Sequence, residues 1–149
     1  MFRRFFPAIF IFALIPSIAA AGPEDIPLTV RDGFDAYSHS RDRAIQAWVH
    51  GGPLEDGIDL RFPLKKLSEA EQVFGGYVGY EYISTHTYNV FAKTVYLTIH
   101  YKRGLVFAKF LLYCVPSGEW VVVSFNIDND PDKILYPFIP SNGVQAVLF

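Results

Sequence analysis

The residues that could carry acid–base chemistry fall within one predicted sheet. His100, Lys109 and Asp128 lie on the same face when the predicted strands are paired through tight turns. In that register His100 lies opposite Phe107, which lies opposite Asp128. A histidine and an aspartate one strand apart are about 10 Å from each other, which is too far for direct proton transfer. We therefore expect solvated or interface residues here, since an acid–base pair would need a different register or a bridging substrate.

The acidic residues after the last predicted strand have the alternating spacing of a calcium loop. Asp128, Asp130 and Asp132 match the first, third and fifth positions of such a loop. Its sixth position is Lys133 instead of glycine and its twelfth is Ile139 instead of glutamate, so two required features are missing. The histidines show no HExxH or HxxxH spacing. The sequence therefore predicts no metal site, and no motif indicates a cofactor.

Nucleophilic and nucleic-acid functions receive no support from the sequence. The only cysteine, Cys114, falls on the apolar face of the predicted sheet, which favours a small core residue over a nucleophile. There is no GxSxG motif and no phosphate-binding glycine loop. A net charge of -2 gives no basic footprint for nucleic acid. A binding function is therefore favoured over an enzyme.

Aromatic residues on the more polar sheet face exceed what a sheet requires. Aromatic side chains with polar tips are favoured at protein interfaces, and they can equally line a ligand cleft. The interface candidates on this face, together with their polar neighbours, are Tyr96, His100, Phe107, Lys109, Tyr113 and Trp120.

Three consecutive strands position these candidates. They are predicted at residues 94–102, 105–115 and 120–128, with tight turns at Arg103-Gly104 and at residues 116–118. Alternation makes one face wholly apolar or aromatic, and its members are Val95, Leu97, Ile99, Tyr101, Val106, Ala108, Phe110, Leu112, Cys114, Val121, Val123, Phe125 and Ile127. A slip of one residue would mix the two faces, so the pattern itself predicts the register.

Helical spacing of apolar residues precedes the strands. Residues 29–50 predict two short helices or one bent helix, with Ser40 as a candidate N-cap. Residues 64–74 predict a further helix ending at Gly75-Gly76, and Ser68 offers an alternative, later start. Residues 77–88 predict another strand. The order predicts an α+β fold in which N-terminal helices pack on a curved antiparallel sheet of at least four sequential strands.

The N-terminal stretch has the pattern of a secretory signal peptide. Arg3-Arg4 form a basic start, residues 5–15 an apolar run, and residues 19–21 a small-residue cleavage site. The apolar run is shorter than the roughly 20 residues that a membrane helix needs. We therefore expect a signal peptide at residues 1–21 and a single domain at 22–149. The expected location is secreted or periplasmic, with membrane contact only through the signal segment before its cleavage.

A set of short stretches extends over most of residues 30–136. They read AWVHGGPLE at 47–55, YVGYE at 77–81, VYL at 95–97, YKRGLVFAKF at 101–110, GEW at 118–120, SFN at 124–126 and DPDKIL at 130–135. In these stretches the chain resembles small exported bacterial proteins of the nuclear transport factor 2-like (SnoaL-like) superfamily. The resemblance implies a cone-shaped, cystatin-like fold whose helices cross the concave side of the sheet, and whose convex side often pairs with a second subunit. The matching stretches are turn and core positions, so the resemblance implies no activity, and Pro63 departs from the continuous helix expected there.

Two functions remain open from the sequence. The first is a non-catalytic binding or assembly module, homodimeric through the convex aromatic face. The second is a small-molecule enzyme of the dehydratase or isomerase type with a pocket between helices and sheet. Pocket candidates for a small apolar ligand are Tyr37, Trp48, Phe74, Tyr101, Phe110 and Phe125. No cofactor and no nucleic acid partner is expected.

Overall fold

Three helices precede a four-stranded sheet in the computed structural model, which describes residues 26–56 and 60–135. The elements are α1 (Leu28–Tyr37), α2 (Arg41–Val49), α3 (Arg61–Phe74), β1 (Tyr77–Asn89), β2 (Ala92–Tyr101), β3 (Gly104–Cys114), β4 (Trp120–Asp128) and α4 (Pro131–Leu135). The sheet is antiparallel in the order β1-β2-β3-β4. The predicted α+β fold is confirmed. The predicted signal peptide and the chain after Leu135 lie outside the described residues.

The first two helices are separated by the polar turn that the sequence indicates. The Ser40 hydroxyl accepts a hydrogen bond from the Arg43 backbone N–H at 3.2 Å, which satisfies one donor at the start of α2. The two helices pack closely because Gly33 on α1 leaves room for the Trp48 indole on α2, whose N–H donates to the Val30 carbonyl at 3.0 Å. Two short helices, one of the two predicted alternatives, are therefore present.

The third helix begins earlier than its capping motif suggests. It starts at Arg61, so Pro63 lies in the first turn, where a backbone N–H has no partner within the helix. Ser68 lies inside the helix, and the alternative start there is wrong. Gly75 ends the helix with φ of 88°, in the left-handed region that glycine adopts readily. Within the described ranges no helix combines the length and apolarity needed to cross a bilayer.

The helices cover one face of the sheet, called here the helix face. Its members on the two central strands are fully or almost fully buried, namely Val95, Leu97, Ile99, Val106, Ala108, Phe110 and Leu112. The opposite side is called the outer face. The short helix α4 contacts it near the ends of β3 and β4, where the Lys109 ammonium lies 3.5 Å from the Lys133 carbonyl. The predicted separation of faces is confirmed on β2 and β3.

The register between β2 and β3 differs from the prediction by two residues. Tyr101 pairs with Gly104, so the turn residues are Lys102 and Arg103 instead of Arg103 and Gly104. A Cβ added at Gly104 would lie 2.4 Å from the Phe74 ring. Glycine is therefore required here for packing and not for the turn. A shift of two residues keeps every side chain on its face, which is why the apolar pattern did not reveal the error.

A bulge in β4 changes the faces of that strand. Leu111 pairs with Ser124 and Leu112 with Val122, which leaves Val123 without a partner. Val122 is consequently buried on the helix face, although the prediction placed Val121 and Val123 there. From Val123 back to the start of the strand, each side chain therefore lies on the face opposite to the predicted one.

Trp120 is the interface candidate that this bulge relocates. It pairs with Cys114, and its ring packs against the core on the helix face. The Lys93 ammonium lies 4.2 Å from the centroid of the ring, a cation–π contact. The predicted outer position of Trp120 is therefore wrong.

Candidate functional site

Aromatic rings fill the space between the helices and the helix face. The rings of Trp48 and Phe110 are fully buried with centroids 5.2 Å apart, and Phe34 meets both edge-on. Phe125 stacks on Phe110 at 5.7 Å. These are ordinary distances for aromatic pairs in a close-packed interior. Among the described residues this layer is a packed core where the resemblance implies a hollow cone.

The six predicted pocket residues are divided among the core and separate peripheral clefts. Trp48 and Phe110 belong to the core. Phe74 lines a cleft of about 310 Å³ between α3 and the ends of β3 and β4, and Phe125 lines one of about 190 Å³ beside β4. Tyr37 lines a polar cleft of about 480 Å³, with Tyr101 behind it. The structure does not gather the six around one space, and their binding of a ligand stays a prediction.

The other five predicted interface residues lie on the outer face. They are surrounded by exposed apolar residues that were not among the predicted interface candidates. The resulting surface, called here the outer patch, consists of Ile83, Tyr88, Tyr96, Leu105, Phe107, Leu111 and Tyr113. Leu111 is 37% exposed and Tyr113 43% exposed. Strand alternation already placed Leu111 on this face. The two β1 members, Ile83 and Tyr88, lie at bulges that the alternation does not reveal.

His100 and Asp128 have separate partners. The His100 Nε2 lies 2.8 Å from the Thr98 hydroxyl and 3.6 Å from the Glu81 carboxylate. It lies opposite Leu105, so its predicted pairing with Phe107 is wrong, whereas the predicted pairing of Phe107 with Asp128 is confirmed. No direct His–Asp pair forms, in agreement with the distance argument.

Asp128 connects three elements. Its carboxylate accepts hydrogen bonds from Lys66 on α3 at 3.2 Å, from Lys133 on α4 at 3.4 Å and from the Asp130 N–H at 3.0 Å. Burial to 8% exposure acts to raise the pKa of Asp128, but the Asp130 N–H and the Lys66 ammonium outweigh it and hold the pKa below its ordinary value. With these donors in place the carboxylate ties α3 to the sheet, and no metal-ligating cluster occurs within the described ranges.

A polar network reaches the surface where α1, α2, α3 and β1 meet. The hydroxyls of Tyr37 and Tyr101 lie 3.0 Å apart. Arg41, the first residue of α2, forms an ion pair with Glu71 of α3 at 3.3 Å. The Tyr77 ring stacks on Tyr37 with centroids 4.3 Å apart. Arg41 and Glu71 were not among the predicted site residues, because they are thirty positions apart and are adjacent only in the folded chain.

Both buried tyrosines of this network stay protonated at neutral pH. Burial is the main cause that raises the pKa of Tyr101, to about 12. Burial also raises the pKa of Tyr37, and its hydrogen bonds to Tyr101 and Glu71 raise it further. The two hydroxyls can therefore donate and accept hydrogen bonds but cannot serve as bases.

No family model, curated protein or solved structure matches this chain. The resemblance to the nuclear transport factor 2-like superfamily therefore stays a prediction.

Proposed function

We propose that this chain is an exported, non-catalytic assembly module that forms a homodimer through the outer face of its sheet. The observation that carries the proposal is the outer patch, because helices α1 to α3 all pack on the opposite face. Soluble monomers rarely expose contiguous apolar surfaces larger than a few hundred Å². Export is supported by the signal-peptide pattern at residues 1–21.

The size of the outer face is of the order that a dimer needs. A strand of ten residues, such as β2, spans about 33 Å, and four strands side by side span about 19 Å. The face therefore measures about 600 Å² before the relief of its side chains is counted. Stable interfaces bury about 800 Å² on each partner, which is the same order of size, although α4 covers part of this face near β3 and β4.

Charge on the face favours a second copy over an unrelated partner. Glu81 on β1 is 76% exposed at its side chain, and Lys109 lies on β3. A two-fold axis along the strand direction would place β1 of one copy over β3 of the other, beside α4. The carboxylate of each copy then approaches the lysine of its partner, so the face is complementary to itself.

The alternative, a small-molecule enzyme with a pocket between helices and sheet, has less support. Such an enzyme needs a titratable group in an enclosed space. Of the predicted pocket residues, Tyr101 is the titratable one on the helix face, and it stays protonated beside Tyr37. The packed rings around Trp48 occupy the position that the pocket would take.

The proposal is tested by the mass of the protein in solution. We expect light scattering to give twice the chain mass for the wild type and the chain mass for Leu111→Lys, with unchanged circular dichroism. Leu111 is exposed, so a lysine there disturbs the dimer contact and not the core.

The matched control is Val73→Lys. Val73 is 62% exposed on α3, away from the outer face, and the same change there should leave the wild-type mass. A wild type with the mass of one chain, or a Leu111→Lys variant that stays dimeric, would rule the proposal out.

A further inference from the structure

We propose that the polar cleft lined by Tyr37, Arg41, Glu71 and Tyr77 is a binding site for a small neutral ligand with neighbouring hydroxyl groups, a saccharide or a related polyol. The site is independent of the outer face and of the proposed dimer. Its volume of about 480 Å³ is within the usual range of small-molecule sites.

The cleft is built by four separate elements. Tyr37 ends α1, the Ser38–Ser40 turn forms one rim, and Glu71 projects from the last turns of α3. Tyr77 opens β1. Convergence of these elements holds the polar groups in place before a ligand binds, and such preorganisation favours the affinity of a neutral polar ligand.

The polar groups of the cleft have hydrogen-bonding capacity left over. The guanidinium of Arg41 has five N–H donors and the carboxylate of Glu71 about four acceptor positions, whereas one contact of 3.3 Å joins them. Their side chains remain 35% and 28% exposed, so both can reach a ligand. The hydroxyl of Tyr37 lies at the floor of the cleft beside Glu71.

Charge decides the class of ligand. Arg41 and Glu71 neutralise each other, and Asp42 on the rim leaves the cleft with a net negative charge when His39 is neutral. The two carboxylates repel an anion, and the charge of Glu71 is already matched by Arg41, so Asp42 on the rim is the group that would attract a cation. A hydroxyl donates to a carboxylate and accepts from a guanidinium, so two adjacent hydroxyls can bridge the ion pair without breaking it.

The aromatic wall suits the same ligand. One face of the Tyr77 ring stacks on Tyr37 at 4.3 Å, and Tyr77 is half-buried and lines the cleft. An aromatic surface next to polar groups matches a molecule with an apolar C–H side and a polar edge. Saccharide rings and cyclic polyols have this division.

The test is a titration of the isotope-labelled protein followed by NMR. The probes are D-glucose, N-acetylglucosamine, maltose and myo-inositol, with inorganic phosphate and ethylammonium as charged comparisons. We expect at least one neutral probe to shift the amide signals of residues 38–42 and 71 and to saturate them with a Kd of about 1 mM or tighter. The charged probes should leave these signals unchanged.

Variants then separate recognition from folding. Glu71→Gln removes the carboxylate charge with little change of shape and should raise the Kd at least about tenfold. Arg41→Lys keeps the ion pair but loses the forked set of N–H donors that the guanidinium presents. Glu69→Gln, on the same helix and paired with Lys65 at 3.7 Å, is the matched control and should bind as the wild type does. The proposal is overturned if no neutral probe shifts these signals at about 100 mM. It is also overturned if phosphate shifts them in place of the neutral probes, or if Glu71→Gln binds unchanged.

Discussion

Single residues in this protein act mainly by allowing elements to approach each other. Gly33 and Gly104 illustrate this, since each leaves space for an aromatic ring, that of Trp48 or of Phe74. Asp128 acts differently, because its buried carboxylate collects donors from two helices and its own loop. Neither the close packing at the two glycines nor the hydrogen bonding of Asp128 could be deduced from the local sequence pattern alone.

Gly33→Ala is expected to destabilise the protein although alanine favours helices. A Cβ at this position would lie 2.0 Å from the Trp48 indole, so the ring or the helix must move. Overpacking of this kind costs about 1–3 kcal/mol, while the gain in helix propensity is about 1 kcal/mol. Chemical denaturation should show a net loss of stability. Gly79→Ala, where an added Cβ meets nothing within 4 Å, should be neutral or slightly stabilising, and an equal loss in both variants would contradict the packing argument.

Asp128→Asn is expected to lower stability at neutral pH by about 1–3 kcal/mol, because hydrogen bonds to a charged group are lost. The folded-state pKa of Asp128 is depressed, so its contribution is fully present above the unfolded value of about 3.9 and is lost as the pH falls through the folded pKa. The difference between wild type and variant should therefore shrink below about pH 4. Denaturant unfolding at several pH values measures it, with the exposed Asp56→Asn as control. A difference that stays constant down to about pH 2 would refute this role.

At the scale of elements, the edge strand β1 has an unusual regularity. Val78, Ile83 and Tyr88 have no partner on β2, so a bulge occurs every five residues. All three side chains are exposed. Bulges twist an edge strand and interrupt its row of free backbone groups, which hinders pairing with the edges of other chains.

Deletion of Ile83 is expected to leave the fold intact and to promote aggregation. Tyr82 pairs with Leu97 on the helix face, and Ser84 pairs with Tyr96 on the outer face. Removing the extra residue between them therefore restores regular pairing. A straighter edge then offers more continuous backbone groups to another molecule. Light scattering against time should show faster growth than in the wild type. Deletion of the paired residue Glu81 instead moves Tyr82 from the helix face to the outer face before the register is restored at Ser84, and it should lower the stability. Equal stability of the two deletion variants would contradict the bulge assignment.

Element types were predictable from sequence, but pairing details were not. Helical spacing and the Ser40 cap identify α1 and α2, and alternation identifies the faces of β2 and β3. The run from Val121 to Val123 is apolar at three consecutive positions and so carries no information about phase, which is why Trp120 was placed on the wrong face. The contact of Arg41 with Glu71 depends on the packing of separate helices, which no local pattern reports.

The whole molecule leaves one large surface without a partner in the described chain. The helices cover the helix face, and the loop at Gly52 passes against the edge of β4, where an added Cβ would lie 2.7 Å from the Val122 carbonyl. The bulges interrupt the edge of β1. The outer face therefore remains for assembly, and face-to-face pairing yields a closed dimer with no further free copy of that surface.

If the dimer is the stable form, its unfolding must depend on protein concentration. Association stabilises the folded state by mass action, and each tenfold increase in concentration adds about 1.4 kcal/mol per mole of dimer. The denaturant midpoint of the wild type should therefore rise between about 1 and 100 μM, and Val73→Lys should behave in the same way. Leu111→Lys should have a midpoint independent of concentration and equal to the low-concentration limit of the wild type. A wild-type midpoint that stays constant over this range would mean that the outer patch contributes nothing to stability through a second copy.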